Sequence, residues 1–379
     1  MGCIYQQKCG GCLYRDMEEE SYRNFKSGKI KKLLEQELGI TDNQWEDPVF
    51  IADGFRRRAS FTFSYKKGKL LFGFNENKSN NIADCTYCPM LTEKINNSLS
   101  SLREFLERFC KIKTQKKIKG KKFSESSITE GDILILEALN GLDCVLEIQE
   151  ELELDHRMEI FDYLNGSDDI IRFSYRKNSF SQAETIAEKT KPTIKIGGTD
   201  VYVAAGTFLQ ASLQGEETLV GLVLKYLEGT CGKIADLFCG IGTFSYPLAK
   251  IKNNKIVAAD INESLLQGFR TSVNKQMMHN IEIVEKNLFK SPFTANELQS
   301  FDAIVFDPPR AGAKALVEEI ALIEDKSVLK KIVAVSCNPH SFIADAKILI
   351  ESGYTLKKVT MVDQFVYSNH SELVALFTN

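Results

Sequence analysis

From residue 233 onward the sequence repeats one grammar: a short apolar run, a helical length, then another short apolar run. The runs are 233–237, 255–259, 281–284, 303–306 and 332–335, and 372–377 closes the chain as a last strand. Runs this short and this rich in β-branched or small apolar residues suit strands buried on both faces, and the intervals between them fit crossover helices. The expected fold is therefore α/β, with a Rossmann-like, doubly wound sheet at the C-terminal end. In such a sheet ligands meet the carboxyl edge of the strands, so the residues that terminate each run are the ones to read for chemistry.

The first run ends in Asp236-Leu237-Phe238-Cys239-Gly240-Ile241-Gly242-Thr243-Phe244. Its glycines allow the backbone to pass close to a nucleotide-like ligand, and Asp260 at the end of the second run can accept hydrogen bonds from ribose hydroxyls. A dinucleotide fingerprint has a third glycine, which Tyr246 and its neighbours do not provide. The turn suits a ligand without pyrophosphate, which favours S-adenosylmethionine over NAD. Asn287, just past the third run, is placed to meet the adenine. The fourth run ends in Asp307-Pro308-Pro309-Arg310, where two prolines stiffen the chain behind the carboxylate. The fifth ends in Ser336-Cys337-Asn338-Pro339, a thiol on a turn whose thiolate is a nucleophile. Glu372 is the next acid near a sheet end.

The first half of the chain reads differently. Cys3, Cys9 and Cys12 crowd the start, with Gly10 and Gly11 between the last two, and such spacing lets backbone wrap a bound ion or cluster. A fourth thiolate would close the site; Cys88, followed by Pro89, and Cys85 both qualify, and zinc and a 4Fe-4S cluster both suit four cysteines. Ten cysteines in 379 residues without an export signal point away from a disulfide framework and to a cytoplasmic protein. No stretch is apolar enough to span a bilayer. A helix is expected over 21–38, ending at Gly39. Hairpins are expected around Lys66-Lys67-Gly68 and Asn140-Gly141. The net charge of −3 advertises no polyanionic partner, so affinity for nucleic acid would rest on local patches: Arg56-Arg57-Arg58 and the seven lysines of 111–122. Pro192 and Gly197-Gly198 mark a boundary. The division expected is 1–45, the cysteine segment and its helix; 46–192, a β-rich (α+β) domain that carries the basic patches; and 193–379, the Rossmann-like domain.

Taken together, Asp-Leu-Phe-Cys-Gly-x-Gly-x-Phe, Asp-Pro-Pro-Arg-x-Gly and Ser-Cys-Asn-Pro, after a Cys-x5-Cys-x2-Cys start, resemble the bacterial RNA uracil-5-methyltransferases. The likeness is greatest to members that modify 23S ribosomal RNA and carry an iron-sulfur cluster. The resemblance implies a class I methyltransferase sheet, and a 4Fe-4S cluster on Cys3, Cys9, Cys12 and Cys88. It implies that Gln210, Phe238, Gly240, Thr243, Asp260, Asn287 and Asp307 line the pocket for S-adenosylmethionine and uracil, with Cys337 as nucleophile and Glu372 as base. Many relatives begin with a small β-barrel that binds RNA, whereas this sequence starts at the cysteines, so RNA affinity is expected from the central region. Relatives often have Phe-Pro before His-x-Glu, where this chain has Phe365-Val366 before His370-Ser371-Glu372.

The residue types suit that reaction. Carbon-5 of uracil is a poor nucleophile until a thiolate adds to carbon-6, after which a base must remove the carbon-5 hydrogen. His370 is a rival base, ranked behind Glu372 as a positioning group. A target uridine in folded RNA, 23S rRNA first and transfer RNA second, must be turned out of its stack. Two other readings compete: an amino-methyltransferase, whose Asp-Pro-Pro-aromatic turn has Arg310 in the aromatic place, and a non-catalytic iron-sulfur RNA-binding protein. A monomer is expected.

Overall fold

The computed structural model describes residues 3–117, 123–179 and 181–379, so the end of the lysine run, 118–122, lies outside the described residues. The chain divides into two units. One comprises Met1–Arg15, Asp53–Ile194 and Val203–Ser212, and the other Asp16–Ala52, Lys195–Tyr202 and Leu213–Asn379. The expected 1–45 segment is thus shared out: its cysteines go with the first unit and its helix with the second. Residues 203–212, Gln210 among them, return to the first unit although they lie beyond the boundary read at Pro192 and Gly197-Gly198.

The first unit is built on a seven-stranded, largely antiparallel sheet. Strands Arg58–Lys66 and Lys69–Asn75 form the expected hairpin, and Lys67 and Gly68 take the positive φ values, 53° and 79°, of a tight two-residue turn. Strands Glu130–Ala138 and Gly141–Glu147 form the second hairpin. Helix Leu154–Gly166 then carries the chain across to a parallel partner, Ile170–Arg176. Helix Glu93–Lys111 supplies Leu99, Leu102, Phe105, Leu106 and Phe109, which join Phe61, Phe63, Phe72 and Phe173 of the sheet in one buried cluster. The cysteines of the unit are free, and this aromatic cluster forms its core.

The second unit holds the parallel sheet. Its strands are β1 (Lys233–Leu237), β2 (Lys255–Asp260), β3 (Ile281–Glu285), β4 (Ala303–Phe306), β5 (Lys331–Ser336), β6 (Thr355–Asp363) and β7 (Glu372–Thr378). From one edge the order is the short strand Val49–Phe50, then β6, β7, β5, β4, β1, β2 and β3. β7 runs antiparallel to both neighbours, and the remaining pairs are parallel. β6 has no counterpart in the expected runs. Its first half, Thr355-Leu356-Lys357-Lys358, alternates exposed and buried residues and carries a register shift between Leu356 and Lys358, so no continuous apolar run announces it.

Helix Glu19–Leu38 starts at Glu18, whose carboxylate accepts from the Ser21 amide, and ends at Gly39 in the left-handed region (φ 65°). Its buried stripe is Tyr22, Lys26, Ile30 and Leu34, and the last two enter the core of the second unit. Among the described residues no helix is long and apolar enough to cross a membrane.

Candidate active site

Strand register alone gathers most of the expected residues at the carboxyl edge of the second unit. Leu237 stands opposite Ala259 on one side and Phe306 on the other, so Phe238, Asp260 and Asp307 emerge side by side one residue later. The turn after β1 is unusual in detail. Phe238 adopts φ +61°, a left-handed conformation that costs a bulky side chain free energy, and its ring lies 5.2 Å from that of Phe289. Gly242 has φ +90°, and a Cβ there would come within 2.5 Å of the Phe269 ring. Only glycine lets this turn close against the helix carrying Phe269. The Gly240 amide donates to Asp260 Oδ2 (3.0 Å) and the Asn262 amide to Oδ1 (2.9 Å). The Asp260 carboxylate is thereby oriented, and each oxygen keeps a lone pair for a further donor. Thr243 is half-buried in the same turn. Asn287 Oδ1 accepts from the amides of Phe289 and Lys290 (3.1 Å each), which closes the turn after β3.

Beneath this edge Asp236 is fully buried and accepts from Ser245 Oγ at 2.6 Å. Burial first, then the neighbouring charges of Asp307 and Asp260, pushes its carboxyl up to about 7.

The antiparallel insertion of β7 does for Glu372 what the parallel register does for the others. Ser336 pairs with Leu373 and Val362 with Glu372, so Cys337, one residue past the end of β5, lies at the start of β7, where Glu372 stands. Glu372 is 4% exposed and accepts from Gln364 Nε2 at 3.1 Å. Burial, and next to it the charge of Asp307, pushes its carboxyl up to about 8, against the lowering influence of Gln364 and Arg310. Burial also pushes the half-buried Cys337 thiol up to about 11, helped by the negative charges of Glu372 and Asp307 and opposed by Arg310. Arg310 ties the edge together. Its carbonyl accepts from Asn338 Nδ2 (3.0 Å), and its Nη2 lies 2.9 Å from His370 Nε2. His370 therefore pairs with a guanidinium on the exposed side of the edge.

The raised Glu372 carboxyl has a thermodynamic consequence. An acid whose folded pKa exceeds its unfolded value holds its proton longer when folded, so it contributes stability at low pH that is lost as pH rises towards the folded pKa. The melting temperature of Glu372→Gln relative to the unaltered protein should climb between about pH 5 and about pH 9 and then level off. Thermal melts across that range check this; a flat difference would mean that Glu372 titrates normally.

Gln210 belongs to the other unit, where it is buried and its carbonyl accepts from Arg57 Nε (3.4 Å). The arginine triplet read as a phosphate-binding patch is mostly engaged within the protein. Arg57 is 6% exposed, Arg58 lies 4.2 Å from the centre of the Phe208 ring, and Arg56 feels the charges of Cys88, Cys12 and Cys9. The sulfur atoms share one neighbourhood. Burial raises the thiols of Cys12 and Cys88 to about 11, and Cys12 also feels Cys88, Cys9 and Cys3. Cys88 is held by its amide, which donates to Asn96 Oδ1 (2.8 Å), whereas the Cys85 thiol donates to the Tyr87 carbonyl (3.1 Å). Among the described residues, however, no three His, Cys, Asp or Glu side chains are gathered as a bound metal ion requires. The expected cluster is therefore not evident in the side-chain positions, although four cysteine thiols are a donor set chemically suited to one.

Residues that sequence reasoning passed over are Gln364, Asp363 and Arg310 as a link to His370. Nothing in the spacing of Gln364 signals contact with Glu372, because no apolar run announces β6.

A parallel sheet with an antiparallel β7 between β5 and β6, a glycine turn after β1 and an acid closing β2 define a class I S-adenosylmethionine-dependent methyltransferase. The sequence profile of the tRNA (uracil-5-)-methyltransferase family matches residues 22–379, and the chain belongs to that family. It is 33% identical to an uncharacterized RNA methyltransferase of Agrobacterium fabrum over 97% of this chain and 82% of the relative. It is 28% identical to the 23S rRNA (uracil(1939)-C(5))-methyltransferase RlmD of Acinetobacter baumannii over 99% of this chain and 79% of the relative. The fold matches the crystal structure of Pyrococcus abyssi tRNA (uracil-54, C5)-methyltransferase in complex with S-adenosyl-L-homocysteine, with a TM-score of 0.71, 23% identity, and 98% of this chain and 86% of that one covered. The protein is an RNA uracil-5-methyltransferase.

Proposed function

We propose that the chain methylates carbon-5 of a uridine in 23S rRNA through a covalent bond between Cys337 and carbon-6 of the base. The observation that carries the mechanism is the antiparallel β7, which sets Glu372 beside the turn bearing Cys337. The Cys337 thiolate adds to carbon-6, and the carbon-5 enolate takes the methyl group from the sulfonium. Glu372 then removes the carbon-5 proton, the electron pair of that C–H bond re-forms the ring double bond, and the thiolate leaves carbon-6. Phe238, Gly240, Thr243, Asp260 and Asn287 hold the methyl donor in this reading. Asp307 meets the uracil end of the pocket. The choice of 23S rRNA rests on the named activity of the Acinetobacter relative. Mass mapping of 5-methyluridine in RNA from a strain lacking this protein tests it. A missing 5-methyluridine in 23S rRNA is expected, and one missing from transfer RNA instead would move the substrate while leaving the mechanism.

The same reading places a 4Fe-4S cluster on Cys3, Cys9, Cys12 and Cys88, in a structural role. Their shared neighbourhood and the nearby Arg56 support it. Protein purified without oxygen should contain iron and sulfide in equal amounts. Cys88→Ala should lose both and Cys85→Ala should keep them. Iron retained in Cys88→Ala and lost in Cys85→Ala would reassign the fourth ligand, and iron absent from the unaltered protein would remove the cluster.

A further inference from the structure

On the buried stripe of helix Glu19–Leu38 one position is a lysine. Lys26 is 4% exposed, between Tyr22 one turn before and Ile30 one turn after. A helix that needed only to pack would carry an apolar residue there, because taking an ammonium out of water costs more than its ion pair usually returns. Its partner is Asp363, the last residue of β6, which is wholly buried. Lys26 Nζ donates to Asp363 Oδ1 at 2.6 Å, and the Tyr22 hydroxyl donates to Oδ2 at 2.5 Å. Both carboxylate oxygens are thus used.

The same two side chains reach past Asp363 into the 364–371 connection between β6 and β7. Lys26 Nζ donates to the Phe365 carbonyl at 3.4 Å, and the Tyr22 hydroxyl accepts from the Tyr367 amide at 2.7 Å. Tyr367 has φ +61°, a conformation that persists in a bulky residue only when its surroundings enforce it, and its ring lies 4.8 Å from that of Tyr22. From the other side, Val49–Phe50 pairs with Val362 and Asp363, and the Ile51 amide donates to the Asp363 carbonyl at 3.0 Å. Between these fixed points sits Gln364, whose Nε2 holds Glu372. We propose that Tyr22 and Lys26 are positioning residues that clamp the turn 363–367, so that Gln364 orients Glu372 for the proton removal that ends the reaction. The inference rests on Glu372 being the base.

The clamp acts late in the reaction. Addition of Cys337 and transfer of the methyl do not need Glu372 to be aimed at carbon-5, whereas breaking the carbon-5 C–H bond and expelling the thiolate do. Loosening the clamp should therefore slow release from the adduct without weakening RNA binding. Tyr22→Phe keeps the ring and removes only the hydroxyl. Lys26→Met removes the charge at similar length, and Lys26→Met with Asp363→Asn also removes the carboxylate it would leave unpaired. With the full-length protein, RNA substrate and methyl donor, Tyr22→Phe and the double variant are expected to lower kcat by up to about 10²-fold. KM for RNA should be unchanged, and a larger share of enzyme should be trapped as RNA adduct on denaturing gels. Glu372→Gln serves as the control. If it accumulates adduct while Tyr22→Phe and the double variant turn over normally, the clamp is overturned and the base stands. If the double variant regains both stability and normal turnover, the lysine is only structural and the proposal fails. If Glu372→Gln itself accumulates no adduct, the assignment of the base fails and the clamp falls with it.

Discussion

Cys337→Ala should abolish both methylation and the covalent RNA adduct, with methyl transfer falling by at least about 10⁴-fold. The thiol is the only group proposed to attack carbon-6, and without that addition carbon-5 stays too electron-poor to take a methyl from a sulfonium. Burial, with the nearby carboxylates, keeps Cys337 protonated at rest, its pKa pushed up to about 11. A thiol of that kind is rarely ionised but strongly nucleophilic once it is, so its activation belongs to the substrate complex. Arg310 is the cationic group that opposes the rise, and its link to His370 and Asn338 places that charge at the junction of three turns. Methyl donor binding should survive the substitution, because the Gly240 to Asp260 contact does not involve Cys337. Isothermal titration with S-adenosylmethionine and trapping with 5-fluorouridine RNA separate the two effects. Methylation that persisted in this variant would revive direct transfer to an exocyclic nitrogen, the chemistry of sites with an Asp-Pro-Pro-aromatic turn.

The edge that holds Cys337 was legible because parallel sheets advertise themselves. The strands from β1 to β5 are short, largely apolar runs followed by chemically distinctive residues, and the observed strands keep those positions to within a residue or so. Glycine turns and hairpins were readable for a similar local reason: Gly242, Lys67-Gly68 and Gly39 take conformations that their own sequences request. What stayed hidden was long-range. β6 begins as an alternating, charged stretch and announces neither itself nor Asp363. Lys26 reads in sequence as one more surface lysine on a basic helix, and only a carboxylate more than 300 residues away reveals that it is buried. The arginine triplet shows the converse error. Three consecutive cations look like a patch for phosphate, yet backbone geometry turns Arg57 into the protein and Arg58 onto Phe208.

Glu372→Gln should let methylation proceed and then stall, so that adduct accumulates while turnover falls by about 10²–10⁴-fold. The amide keeps the shape of the side chain and can still contact Gln364, but it cannot accept the carbon-5 proton. The position fits the task in two respects. Burial raises the carboxyl to about 8, close to the pH at which a base both ionises and pulls a proton effectively. Gln364, by donating to Oε1, stabilises the ionised form and leaves the second oxygen for the proton. Asp307 works against ionisation, and Arg310 works for it. A substrate that screened Asp307 would therefore make Glu372 a readier base when the uracil arrives. The measurement is a single-turnover experiment with radiolabelled methyl donor. Label should appear in protein-bound RNA as fast as in the unaltered enzyme, while release of free methylated RNA lags. Release at the normal rate would hand the role of base to another group, with His370 the first to examine, since its ring already meets Arg310 at the same edge.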